Sequence, residues 1–255
     1  MSKLPASAGW LWLKHGFALF RKQPGILTML LFTNFMISVL ISTIPYIGPQ
    51  LAVLLIPSLT MAVLQACHLI DQGQRVTPQV MLTGFREPVF KALCKLGLVY
   101  VGVSLLLTVL ANLVIDPAFW RNVTAPVDPN NVSAADRSNM LTFLGLTLLQ
   151  CLVLLALCFA APLTYWKSMA PGKATFYSFF AVVGAFKPIL LMLFAWFGIF
   201  LAAAMAASLI FGNSNAGKVV VIWIMLLFML ELQCAFYASY RQIFGEPGAV
   251  DLEKR

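Results

Sequence analysis

The chain has 255 residues, 61% hydrophobic and only 10% charged, with a net charge of +8. Soluble domains carry about 25% charged residues, so a soluble globule is excluded and a bilayer is required as solvent for the apolar surplus. The basic excess does not read as a nucleic-acid surface, because the cations sit in short segments between apolar runs rather than on one solvated face.

The N-terminal stretch GWLWLKHGFALFRKQPGIL opens the chain. Trp10, Leu13, Phe17 and Phe20 recur at helical spacing, with Lys14, His15, Arg21 and Lys22 on the other side. This is the pattern of a helix lying in the membrane interface, with Trp10, Trp12, Lys14, Phe17, Phe20, Arg21 and Lys22 as anchors. The first long apolar run starts only near Gly25, exceeds signal-peptide length and lacks a small-x-small cleavage site, so no cleavable leader is expected.

A spanning helix needs about 20 apolar residues. Six runs qualify, over residues 25–45, 46–70, 94–115, 141–166, 188–211 and 219–240. The second contains Pro49 and Pro57. An interior proline cannot donate to the ladder and frees a carbonyl, which predicts a break near Pro57. Asp116 to Met140, with Pro117, Pro126, Pro129, Asn130 and Asn131, reads as an extramembrane loop. Nothing else marks a boundary, so residues 1–255 form one transmembrane domain.

Fourteen of the seventeen lysines and arginines fall in the N-terminal segment, the loops after spans two and four, and the C-terminus. Only Arg121, Arg137 and Lys218 fall on the opposite side. The positive-inside rule then predicts both termini in the cytoplasm of a bacterial inner membrane.

The odd spans share a preamble. Besides the N-terminal stretch these are TPQVMLTGFREPVFKALCKLG, with Thr77 as N-cap and Pro78 at the first helical position, and APGKATFYSFFAVVGAFKPIL. The predicted fold is therefore all-α: a polytopic membrane protein whose six transmembrane helices form three hairpins, each preceded by an interfacial amphipathic helix. Interface anchoring alone would also place aromatic and cationic residues there, whereas a true repeat would fit proteins that enclose a central site.

The opening Gly9-Trp10-x-Trp12-x-Lys14-x-Gly16-Phe17-x-x-Phe20-Arg21-x-x-Pro24, the six-span layout and Gly84-Phe85-Arg86 resemble a family of uncharacterised proteobacterial inner-membrane proteins. The resemblance implies location and fold. It implies no mechanism and carries no functional residue.

Glu231 stands ten residues before Arg241 and thirteen after Lys218, which places it near mid-span. A charged residue there costs about 2.5–3.5 kcal/mol on insertion scales and is a functional candidate by default. Asn34 and Gln150, each nine residues into its own span, lie at similar depth, so Asn34, Gln150 and Glu231 are the candidate intramembrane polar site. Interhelical hydrogen bonding and a proton or cation site both account for such a cluster.

Cys67, His68 and Asp71 gather at the end of span two, with His68 and Asp71 on one helical face. The five cysteines form no C-x-x-C pair, and the methionines are scattered without a supporting Cys/His set. No metal site, disulfide framework or cofactor is expected. Gly198, Ala202 and Ala206 at spacing four in span five are the pattern of close helix packing, within the chain or between copies.

FGNSNAGK lacks the phosphate-loop spacing, and neither G-x-S-x-G nor H-E-x-x-H occurs, so an enzyme is not expected. Two readings stay open. One is a non-enzymatic membrane module that binds lipid, another membrane protein or a second copy of itself. The other is a small proton-coupled transporter or channel using Glu231, against which stands the near-absence of polar residues to line a pore in spans three and five. A wet cavity reaching Glu231 would favour the second.

Overall fold

The computed structural model describes residues 4–122, 134–212 and 214–247. Its helices are α1 (Ala8–Lys22), α2 (Pro24–Ser42), α3 (Gly48–Asp71), α4 (Val89–Val114), α5 (Pro117–Asn122), α6 (Ala134–Ala156), α7 (Ala160–Trp166), α8 (Pro171–Gly184), α9 (Phe186–Phe211) and α10 (Asn215–Phe244), with a 3₁₀ helix over Pro78–Phe85. Among the described residues six segments are long and apolar enough to cross a bilayer: α2, α3, α4, Arg137–Trp166, α9 and α10. The chain is an all-α polytopic membrane protein.

The spans agree with the hydropathy pattern except in three places. α3 runs unbroken through Pro57, against the predicted break. Pro57 is buried on a face held by α2, α4, α10 and the 3₁₀ helix, so packing outweighs the lost backbone bond. The break falls instead in span four, between α6 and α7 at Leu157–Phe159. Pro162 explains it, since a continuous helix would drive its ring into the Cys158 carbonyl. Ser178 of α8 closes the gap by donating to the Ala156 carbonyl (2.7 Å) and accepting from Phe159 N–H (3.1 Å). Tyr100 of α4 donates to the Leu157 carbonyl (3.0 Å). The third difference is the second preamble, which folds as the 3₁₀ helix against α3 rather than as an amphipathic α-helix. Of the predicted Asp116–Met140 loop, α5 and the start of α6 are helical, and residues 123–133, with Pro126, Pro129, Asn130 and Asn131, lie outside the described residues, as do Lys3, Lys254 and Arg255.

Burial is concentrated at one end of the bundle. α2 buries only Leu27 and Leu30, near its start, and α4 buries Leu93, Leu96, Gly97 and Tyr100 in its first half. α10 buries Leu230, Cys234, Ala235 and every residue from Tyr237 to Tyr240 in its second half. The opposite halves of α2, α4, α6 and α9 present large apolar side chains outward, as lipid-facing helices do.

α1 is the exception to simple hairpin logic. It packs on α10 and α9 more than on α2, its own continuation. Its buried face is Ala8, Gly9, Trp12, Leu13, Gly16 and Leu19. A Cβ at Gly9 would overlap the Pro188 carbonyl of α9, and one at Gly16 would lie 2.7 Å from the Ala235 nitrogen of α10. These two glycines permit backbone-to-backbone contact that no larger residue allows. Trp12 is consequently not an interfacial anchor. It is 2% exposed, and its indole N–H donates to the Gln242 side chain. Replacing Gly16 with Leu is expected to cost about 1–3 kcal/mol through overpacking, read as a lowered thermal midpoint in detergent and as new protease sensitivity of the first 23 residues.

Candidate functional site

Two features converge where α1 crosses α10. The first is a pocket of about 430 Å³ bounded by α1, α9 and α10. α1 contributes Trp10, Lys14, Phe17 and Phe20, α9 contributes Ile199, and α10 contributes Leu227, Phe228 and Glu231. The walls are apolar apart from Lys14, Glu231 and the Trp10 indole. Trp10, Lys14 and Phe17 are exposed, so the α1 wall faces outward. Lys14 Nζ lies 5.6 Å from the Trp10 ring centroid, a cation–π distance. Glu231 is half-buried and makes neither a hydrogen bond nor an ion pair with any described residue. It stands four residues, about 6 Å of helix rise, from the contact of Gly16 with Ala235.

The second feature is a polar network that ties α3 to α10, with His15 of α1 beside it. Asp71, at the last turn of α3, is the hub. Its carboxylate accepts from Tyr237 (3.1 Å) and from the Arg241 guanidinium, both on α10, and lies 3.3 Å from His15 Nε2 on α1. Arg241 also reaches Glu246 (3.1 Å), and His68 Nδ1 lies 3.2 Å from the Tyr237 hydroxyl. His15 thus lies beside the carboxylate, and His68 reaches it through the Tyr237 hydroxyl. Beside it, the buried thiols of Cys67 and Cys234 meet at 3.3 Å between α3 and α10. The sequence places His68 and Asp71 on one helical face, and in the structure the Tyr237 hydroxyl stands between them. The sequence does not link His15, Tyr237 or Arg241 to them, because these arrive from other helices.

The three residues read as one intramembrane cluster are not joined by any hydrogen bond. Asn34 donates to the Leu59 carbonyl of α3 (3.1 Å), a structural tie between α2 and α3. Gln150 belongs to a separate cleft between α4 and α6. Only Glu231 stands at the α1 pocket. Equal depth along six helices places residues in one plane, and their azimuth around each helix then separates them. The few polar residues of span three are gathered on one face: Ser104, Thr108 and Asn112 line that same α4–α6 cleft.

Among the anchors, Arg21 and Lys22 are exposed in the last turn of α1, where cations complement the helix dipole. Phe20 is half-buried and packs on the core. The small-residue row does not pack within the chain: Gly198, Ala202 and Ala206 are exposed, and nothing lies within 4 Å of a Cβ built at Gly198.

Six apolar spans and a core gathered at one end define a polytopic membrane protein of the bacterial inner-membrane class. The chain belongs to a family that includes a probable inner membrane protein of Burkholderia thailandensis, to which it is 30% identical over 266 aligned residues, 98% of this chain and 96% of that relative. No family model matches the chain, and no solved structure matches it.

Removing the hub as Asp71→Ala leaves Arg241 and Tyr237 without their shared acceptor. The expected loss is about 1.5–3 kcal/mol, the range for hydrogen bonds to a charged group. Thermal unfolding in detergent checks it, and Asp71→Asn should fall between the two.

Proposed function

We propose that this protein is a non-enzymatic lipid-binding module of the inner membrane. The observation that carries this reading is the pocket beneath α1, where apolar walls end in an exposed lysine. An acyl chain lies along Phe17, Phe20, Ile199, Leu227 and Phe228, and an anionic headgroup meets Lys14, with Arg21 and Lys22 on the same helix. The Trp10 ring, already against Lys14, takes the interfacial position that tryptophan prefers.

The rival reading, a proton-coupled carrier worked by Glu231, requires a hydrated route to that carboxylate. Among the described residues the pocket around Glu231 has Lys14 as its one other charged side chain and aromatic or aliphatic walls elsewhere. Such walls suit a lipid chain better than a water file.

One lysine near an anionic surface contributes about 1 kcal/mol, so Lys14→Ala should lower retained anionic phospholipid about fivefold. Native mass spectrometry of detergent-released protein reads this out. Filling the pocket with Leu227→Trp should displace the lipid outright. Retention unchanged in both variants would sink the proposal. A transport or growth defect from Glu231→Gln, with stability and lipid retention intact, would support the carrier instead.

The same reading places both termini in the cytoplasm. It is supported by contacts at the cation-rich end: Gln23 donates to the Gln74 carbonyl (2.7 Å), and Lys167 Nζ donates to the Phe244 carbonyl (3.0 Å). These tie the N-terminal segment to the loop after α3, and the loop after α7 to the end of α10. A reporter fused after Arg255 that is active only in the cytoplasm is the expected result, and periplasmic activity would reverse the orientation.

A further inference from the structure

We propose that the cleft between α4 and α6 is a hydrated binding site for an uncharged, hydroxyl-rich group: a sugar or polyol, free or carried on a lipid. The cleft encloses about 580 Å³. On α4 it is lined by Ser104, Thr108 and Asn112, spaced four apart and therefore stacked on one helical face. From α6, Thr147 and Gln150 face them.

The hydrogen-bond inventory sets the ligand chemistry. Thr108 donates to the Ser104 carbonyl (2.8 Å), Asn112 to Thr108 (2.9 Å) and Thr147 to Phe143 (2.8 Å). Each donation quiets one hydrogen and leaves oxygen lone pairs free to accept, and Asn112 keeps a second amide hydrogen. Gln150 makes no hydrogen bond among the described residues, so its whole carboxamide, two donors and an acceptor, is available. Alternating donors and acceptors of this kind match hydroxyl groups, which both give and take. Among the described residues no Asp, Glu, Lys, Arg or His lines the cleft, and a neutral ligand gives up less solvation there than an ion would.

At the Asn112 end stand Trp120 and Phe143, edge to face with ring centroids 5.7 Å apart. An aromatic wall next to hydrogen-bonding partners suits a sugar ring, which is apolar on its faces and polar at its rim. Acyl chains alone would leave the Gln150 carboxamide unsatisfied, at a cost that bilayer-facing polar groups normally avoid. This inference stands apart from the α1 pocket, with which the cleft shares no residue.

Cys151 lines the same cleft and is exposed, so it serves as a native reporter. The full chain, reconstituted in phosphatidylcholine nanodiscs that leave both faces open, is treated with a membrane-impermeant methanethiosulfonate. The expected result is a labelling phase that Cys151→Ala removes. That phase slows several-fold on addition of glucose or maltose, or on inclusion of glucosyl diacylglycerol but not of diacylglycerol itself. Protection by the free sugar identifies a soluble ligand, and protection by the glycolipid alone identifies a lipid-linked one. Gln150→Leu should keep the labelling and lose the protection, and Asn112→Leu makes the same test should Gln150→Leu fail to fold. An unreactive Cys151 means a cleft that is dry or covered by another helix, and overturns the proposal. So does labelling at a rate that none of these sugars changes.

Discussion

The contact of α1 with the backbones of α9 and α10, through Gly9 and Gly16, governs the arrangement of everything at the buried end of the bundle. Within a bilayer, apolar surface gains little by leaving lipid for protein, so helices associate through close packing and hydrogen bonds. Removing two β-carbons lets α1 approach closely enough to bury Trp12 and Leu19, deliver His15 to Asp71, and roof the pocket that Glu231 lines. A helix resting loosely in the interface would do none of these.

The same economy of polar contacts appears at the other helix junctions. The Trp196 indole donates to the Phe228 carbonyl between α9 and α10 (2.8 Å), and the Trp166 indole donates to Gln65 between α7 and α3 (2.9 Å). Ser178 and Tyr100 satisfy the backbone groups freed where span four breaks. Each supplies a partner for a group that lipid cannot solvate. Away from this end such contacts thin out and the spans turn large apolar side chains outward. The protein thus has a packed end that carries α1 and the Asp71 network, and an open end where α4 and α6 flank the polar cleft.

The two pockets differ in chemistry as they differ in place. Beneath α1, apolar walls end in one cation and one carboxylate. Between α4 and α6, hydroxyls and carboxamides face one another, with no formal charge among the described residues. An amphipathic ligand suits the first and a neutral hydrogen-bonding ligand the second.

The number of spans and the all-α class were determined by the sequence alone, because a bilayer imposes a length and a polarity that hydropathy reads directly. The preamble of α1 was legible as an amphipathic helix for the same reason. Its partner was not. Helical periodicity shows which residues share a face, but it cannot say whether lipid or another helix covers that face, and so Trp12 read as an anchor although it is core. Pro57 and Pro162 look alike in sequence, yet only the second coincides with a break, because neighbours hold the first helix together. Glu231 was found because a lone carboxylate in an apolar run is conspicuous. Tertiary structure alone decided what surrounds it: Lys14 and Phe17 of α1 stand there, and Asn34 and Gln150 do not. Depth along a helix follows from residue counting, whereas azimuth between helices follows from packing, and it is azimuth that builds a site.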